Sequence, residues 1–332
     1  MNTQIIELVQ INGIEGLSGI PTMIETVVSR VFFFDTDDTV LKFYKRDNTW
    51  WNTEMQNISG GPSRINFIRG EFDFNHFLNP PTYIALKIAE VRNGKVFLQN
   101  PKDSDDELVI VMRKEDVSKT LTHVLAGTPL SEDEYMIIGR SFASIKLKLP
   151  RHFLPQTDKN WYELMIVRAQ DLSEWVRSEN NFPPELAGQG LALFEKMLHE
   201  NKAHFETIQY DSLNVCIDCN SENVLYSNGE LRFLDAYPPK EEWRIGTFDV
   251  DIYRMGSDIA AFAGNDAYKA YQDGVNEVAR NHLDPELENF YLLYSALIMA
   301  PYLVMRSKND QSFQLKAEEY TTYLRGLLAS IA

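Results

Sequence analysis

The sequence is short of cysteine, of positive charge and of long apolar runs. Of its 332 residues only two are cysteine, Cys216 and Cys219. That is too few for the disulfide framework of a small secreted domain. Lys and Arg number 32 against 48 Asp and Glu, a net charge of −16. A nucleic-acid binder needs a basic face, so nucleic acid is not an expected partner. No apolar run approaches the roughly 20 residues of a membrane-crossing helix, and Met1 to Val9 shows no basic-then-apolar leader. The expectation is a cytoplasmic protein with no membrane partner. No G-x-G-x-x-G or P-loop lysine pattern occurs. Gly13, Gly16 and Gly19 recur without a strand before them and read as a turn. No repeat and no low-complexity segment is present.

What is there suits an ordinary folded chain. Apolar residues make up 44% and charged residues 24%, typical of globular domains. At about 150 residues per domain, the length predicts two domains or lobes. Val27, Val28, Val31 and Phe32 to Phe34 are β-formers, Asp35 to Asp38 supplies a turn, and Thr39 to Tyr44 resumes the strand. Residues 49–62 read as a loop. Ile65 to Leu78 has helical spacing, stopped by Asn79-Pro80-Pro81. Tyr83 to Val91, Lys95 to Gln99 and Glu107 to Met112 read as strands, the first two joined by an Asn93-Gly94 hairpin turn. About five strands and one helix result, an antiparallel sheet with a helix inserted.

After Arg113 the pattern turns helical. Helices are expected over 118–125, 132–149, 160–178, 184–207, 251–263, 266–280, 285–306 and 314–331. Ser131 and Glu134 have capping-box spacing. One β patch interrupts them: Val224 to Tyr226 and Leu231 to Leu234 flank Ser227-Asn228-Gly229, a hairpin signal. The expected division is 1–112 and 113–332, an α+β chain in two parts with a hinge near residue 113.

The stretch from Cys216 to Asp235 carries the chemistry. Asp218 is followed by Asn223 five residues on and by Asp235 seventeen on, across the hairpin. Phosphoryl transfer needs such a set: a carboxylate to orient an acceptor hydroxyl, and an amide and second carboxylate to hold Mg²⁺, which prefers oxygen ligands. Taken alone, these residues also suit turns and caps.

Together with the first half, the stretch resembles the aminoglycoside phosphotransferase-like kinases of the protein-kinase-like superfamily. Their H-G-D-x-x-x-x-N segment precedes a hairpin and then an Asp. The likeness implies a two-lobed fold: an N-terminal nucleotide-binding lobe with an antiparallel sheet and one helix, and a mostly helical C-terminal catalytic lobe. It makes Asp218 the catalytic base, and Asn223 and Asp235 the metal ligands. Val40-Leu41-Lys42-Phe43-Tyr44 resembles the superfamily's third strand, whose Lys contacts the nucleotide phosphates; Lys45 competes with Lys42 for the role. Glu71 matches the Glu that positions that Lys. Backbone near Ile110, Met112 and Arg113 would meet the adenine of ATP. Glu25-Thr26-Val27-Val28-Ser29 resembles the E-T-H-I-S segment of a bacterial subgroup of predicted small-molecule kinases. Glu71 to Asn75, Leu78-Asn-Pro, Tyr83 and Ser257-Asp258-Ile-Ala-Ala-Phe262 resemble further elements of it. ATP and Mg²⁺ are the implied cofactors. The implied acceptor is a hydroxyl of a small molecule, aminoglycoside-like or another hydroxylated metabolite.

One departure stands out. Cys216 and Ile217 occupy the positions of the family's His and Gly, and a thiol does not replace imidazole hydrogen bonding. That motivates the alternative expectation of a nucleotide-binding pseudokinase acting as a regulatory module. Cys216-x-x-Cys219 has no second pair for a zinc site and reads as two buried small residues. His199 and His204 are five apart and share no helix face, so they are no zinc-protease pair. Trp161, Trp175 and Phe182 read as core, and in the resembled family this region contributes to the acceptor pocket. Glu174 and Glu179 beside them would favour a cationic acceptor.

Overall fold

β-Branched and aromatic residues dominate the stretch after residue 20, and they build one sheet. The computed structural model describes residues 3–103, 107–127 and 129–331. Met1, Asn2 and Ala332, at the ends of the expected division, lie outside the described residues. The chain forms two compact units, Met1–Val117 with Phe233–Lys240 and Ser118–Arg232 with Glu241–Ala332. The segment Phe233–Lys240, assigned by sequence to the second part, therefore packs with the first.

The first unit starts with helix α1 (Thr3–Asn12). Strands β1 (Thr22–Glu25), β2 (Ser29–Phe34) and β3 (Thr39–Tyr44) follow, then helices α2 (Thr49–Glu54) and α3 (Gly61–Leu78). Strands β4 (Tyr83–Arg92), β5 (Lys95–Gln99) and β6 (Leu108–Arg113) complete the sheet. Its order is β1-β2-β3-β6-β4-β5 with every neighbouring pair antiparallel. Strand alternation gives it two apolar faces. Phe32, Phe34, Leu41, Phe43 and Val109 pack with Ile5, Ile6 and Val9 of α1. Tyr44, Tyr83, Ile88, Leu108 and Ile110 pack with Phe67 and Ile68 of α3. Asn93 and Gly94 take φ of 50° and 73°, the left-handed pair that a two-residue hairpin turn requires.

Three elements differ from the sequence expectation. β1 is a short edge strand with three of four residues exposed, so it shows no alternation. α2 occupies the expected loop because Asn48 caps it, accepting from Trp51 N at 2.9 Å; the same residue type serves turns and caps. α1 hides its signal in only three buried positions. Gly13, Gly16 and Gly19 form the turn region after α1.

The rest of the chain carries α4 (Leu121–Leu125), α5 (Glu132–Leu147), α6 (Trp161–Ser178), α7 (Pro184–Glu200) and α8 (Lys202–Thr207). Then come β7 (Asn214–Val215), β8 (Val224–Ser227), β9 (Glu230–Phe233) and β10 (Ile245–Gly246). Helices α9 (Phe248–Ala263), α10 (Asn265–Ala279), α11 (Glu288–Asn309) and α12 (Gln314–Ile331) end it. Ser131 with Glu134 and Asn160 with Glu163 form capping boxes on α5 and α6. The expected single helix over 184–207 is two, separated at Asn201. α5 and α10 approach closely because Gly139 and Gly274 lack a Cβ. A Cβ there would strike the carbonyl oxygens of Tyr271 and Met136. β8 and β9 form the expected hairpin, and β7 pairs with β10.

The expectation that no apolar run is long enough for a membrane needs correcting. Pro285–Lys308 is long and apolar enough by length and composition, an 18-residue window in it having mean hydropathy 1.3. Of that window 72% is buried, and Phe290, Tyr291, Leu293, Leu297 and Leu303 lie in the core. Burial inside the unit accounts for its apolarity.

Candidate functional site

Alternation on β3 puts Lys42 and Tyr44 on the face covered by α3, which carries Glu71. Lys42 Nζ donates to Glu71 Oε1 at 2.8 Å and to Asp235 Oδ1 at 2.9 Å. Tyr44 donates its hydroxyl to Glu71 Oε2. Lys42 and Glu71 are buried, while the Asp235 side chain is 54% exposed. Lys45 goes elsewhere, pairing with Glu25 at 2.8 Å. Burial pulls the pKa of the Lys42 ammonium down, and the charges of Asp235 and Glu71 more than reverse this. It stands well above the ordinary lysine value, so Lys42 stays a cation among two carboxylates.

The Asp235 segment is tied down by side chains of α3 and β4. Asn79 Nδ2 donates to Phe233 O at 3.0 Å, and Ala236 N donates to Asn75 Oδ1 at 2.8 Å. Asp235 N donates to the Tyr83 hydroxyl at 2.7 Å. Glu71, Asn75 and Asn79 recur every four residues, which places them on one side of α3 and its C-cap.

In the second unit the loop between β7 and β8 holds Asp218 and Asn223 together. Asn223 Nδ2 donates to Asp218 O at 3.2 Å. Arg254 of α9 donates to Asp218 Oδ1 at 2.9 Å, and Asn220 Nδ2 to the same oxygen at 3.3 Å. Asp251 and Asp258 of α9 fix the loop backbone, accepting from Ile217 N at 2.9 Å and Ser221 N at 2.6 Å. Tyr320 also donates to Asp258, at 2.7 Å. Lys146 of α5 donates to Asp251 and to Val215 O, and this ion pair is wholly buried. The loop is thus held through its backbone at Ile217, where the resembled pattern has Gly. Cys216 and Cys219 are free, unbridged and buried. Burial, aided by the charge of Asp251, pushes the Cys216 thiol up to about 11 and Cys219 well above its ordinary value. Such thiols are poor nucleophiles.

Other anticipated residues fall as follows. Ile110 lies fully buried, flanked in the sheet by Lys42 and Leu86. Met112 pairs with Val40 and Tyr83, and Arg113 N donates to Thr82 O at 2.8 Å. Trp161 is core, donating to Tyr291 OH at 3.0 Å; Trp175 donates to Ile298 O at 3.2 Å. Phe182 and Glu179 line a cavity of about 440 Å³ with Val176, Arg177, Leu191 and Glu195. Glu179 pairs there with Lys308 at 2.6 Å, and Glu174 is exposed. His199 and His204 have separate partners, Tyr162 and Asp284.

Sequence reasoning missed Tyr44, Lys146, Asp251 and Arg254. Asp251, Arg254 and Asp258 lie at i, i+3 and i+7 on α9, a spacing that marks one helix face. Tyr44 follows Lys42 by two, and so shares its strand face.

No family model matches the chain, and no curated protein matches it by sequence. Solved structures do match. APH(2")-IIia in its GDP and kanamycin complex superposes with a TM-score of 0.52 at 12% identity, over 99% of this chain and 98% of that one. Aminoglycoside phosphotransferase APH(4)-Ia gives 0.49 at 15% identity over the whole of both chains. A choline/ethanolamine kinase family protein from Mesorhizobium loti gives 0.46 at 12%, over 98% and 94%. The superposition on APH(2")-IIia gives this chain the α+β protein-kinase-like fold of that phosphotransferase, with an antiparallel N-terminal sheet and a helical C-terminal part.

Proposed function

We propose that the chain is an ATP-dependent phosphotransferase that moves the γ-phosphoryl group to a hydroxyl of a small molecule. The observation that carries this reading is Lys42, buried and charged, shared between Glu71 and Asp235. A buried lysine costs stability unless paired, and here its pairing leaves it as a fixed cation beside a half-exposed carboxylate. In this reading the first unit, Met1–Val117 with Phe233–Lys240, is the nucleotide-binding lobe, and the second unit is the catalytic lobe. Lys42 binds the α- and β-phosphates, Glu71 and Tyr44 hold its ammonium in place, and backbone at Ile110, Met112 and Arg113 meets the base. Asp218 orients the acceptor hydroxyl and takes its proton. Arg254 holds that carboxylate in place through its hydrogen bond to Oδ1.

Asn223 and Asp235 offer an amide oxygen and a carboxylate, the hard donors that Mg²⁺ takes, and they would hold it. When bound, Mg²⁺ neutralises charge on the phosphates. The protein's own part is positioning and charge stabilisation, with no covalent intermediate. A cytoplasmic location agrees with this use of ATP.

The Cys216-Ile217 pair favours a second reading, a nucleotide-binding pseudokinase. Against it, the loop backbone is held by Asp251 without an imidazole. The deciding measurement is ATP turnover against hydroxylated metabolites and aminoglycosides. Turnover that Asp218→Asn abolishes supports the transferase. Binding of ATP with no turnover over the whole panel supports the pseudokinase, and an Asp218→Asn enzyme as active as the native one removes the assigned base.

A further inference from the structure

Asp235 adopts φ of 48°, a left-handed conformation that is uncommon for a residue with a side chain, Asp and Asn entering it more readily than others. One side chain grips it twice. The Tyr83 hydroxyl accepts from Asp235 N at 2.7 Å and donates to Asp235 Oδ1 at 3.3 Å. The ring of Tyr83 is fully buried in the cluster under the sheet, so the hydroxyl has little freedom to move. The next residue is held as well, Ala236 N donating to Asn75 Oδ1 at 2.8 Å. Lys42 adds a second donor to Oδ1 at 2.9 Å.

Backbone and carboxylate are therefore fixed together, and both donors sit on Oδ1. The carboxylate's other oxygen, Oδ2, bonds none of the described residues, on a side chain that is 54% exposed. We propose that Tyr83, supported by Asn75, is a positioning residue that presents Asp235 Oδ2 to the nucleotide-bound Mg²⁺. The proposal rests on the phosphotransferase reading of Asp235. It gives a role to Asn75 and Tyr83, which the sequence singles out only as parts of a resemblance. Removing the hydroxyl alone frees the aspartate while leaving the ring to fill its place in the core. Groups that orient a metal ligand typically change metal affinity by about 10–100-fold when lost.

The test is calorimetric titration of the full chain with ATP, with and without Mg²⁺. In Tyr83→Phe, affinity for ATP without Mg²⁺ stays within about twofold of the native value. The gain on adding Mg²⁺ falls about tenfold. Asn75→Ser lowers the same gain by a smaller factor and serves if Tyr83→Phe does not fold. Asp235→Ala is the reference and loses the gain altogether. If Tyr83→Phe and Asn75→Ser keep the full gain while Asp235→Ala loses it, this proposal alone is overturned. If affinity falls equally with and without Mg²⁺, the tyrosine is structural and the proposal is again overturned. If Asp235→Ala keeps the gain, or the native chain shows none, the phosphotransferase reading of Asp235 fails and the proposal with it.

Discussion

Arg254 donates to Asp218 Oδ1 at 2.9 Å, so the carboxylate assigned as base is held by a cation from α9. Its aim then depends on a residue that touches no substrate in the proposed reaction. Arg254→Met should lower kcat by about 10²-fold, the scale of effect that a small misplacement of a reacting group produces. ATP affinity should be unchanged, and Arg254→Lys should recover part of the loss. Steady-state kinetics with the acceptor found by panel screening, beside ATP titration, checks this. Equal kcat in all three proteins would remove Arg254 from the mechanism.

The buried pair of Lys146 and Asp251 bears on stability more than on chemistry. Burial lowers the pKa of Lys146 and Asp251 more than restores it. Lys146→Met leaves Asp251 buried without its ion-pair partner, with one oxygen already lacking a hydrogen bond. The expected cost is about 3–5 kcal/mol, which lowers the thermal midpoint of a chain this long by roughly 4–7 °C. Adding Asp251→Leu should recover only part, because Ile217 N then has no acceptor. Calorimetric unfolding of the single and double variants decides it.

Asp249 gives stability a pH dependence of known sign. Burial raises its pKa from 3.8 to about 6, against the hydrogen bond it accepts from Asp284 N. The native state therefore binds a proton more readily than the unfolded one. The stabilisation is complete below about 3.8 and is lost as pH rises through about 6. The difference is worth about 3 kcal/mol at most. Comparing urea unfolding of native and Asp249→Asn proteins between these limits isolates it from the nearby His204–Asp284 pair. Parallel pH profiles would contradict the assignment.

The two thiols should be inert in the folded state. Cys216 and Cys219 are 2% and 0% exposed, and burial keeps them protonated. Native protein treated with iodoacetamide near pH 8 should gain no label by mass spectrometry, and protein in guanidinium should gain two. Labelling of folded protein would mean that the Asp218 loop opens.

The sequence showed those parts of the fold that local periodicity governs. The β2–β3 and β4–β5 ribbons, the Ser131 capping box and the hairpin after Asn223 each carry their signal within a few residues. α1, α2 and the β7–β10 pair do not. Asn48 reads equally as loop or cap, and two-residue strands exist only through their partners. In the candidate site, Lys42 and Glu71 emerged through the resemblance to a kinase family's strand lysine and helix glutamate; strand alternation by itself only put Lys42 and Lys45 on opposite faces. Tyr83 and Arg254 did not emerge as contacts, since their partners lie 152 and 36 residues away. No spacing rule spans such separations.

Because Phe233–Lys240 belongs to the first unit, Lys42 and Asp235 are joined across 193 residues of chain. A ribosome adding about 5–20 residues per second needs roughly 10 to 40 s to cover that stretch. From the point in that interval at which Arg113 has been added, the whole sheet and α3 exist while the segment that Asn75, Asn79 and Tyr83 bind does not. In the nascent first unit Asn75, Asn79 and Tyr83 therefore each lack their partner in that segment, and Lys42 has one of its two carboxylates. Its site becomes complete only when the hairpin of the second unit has been made.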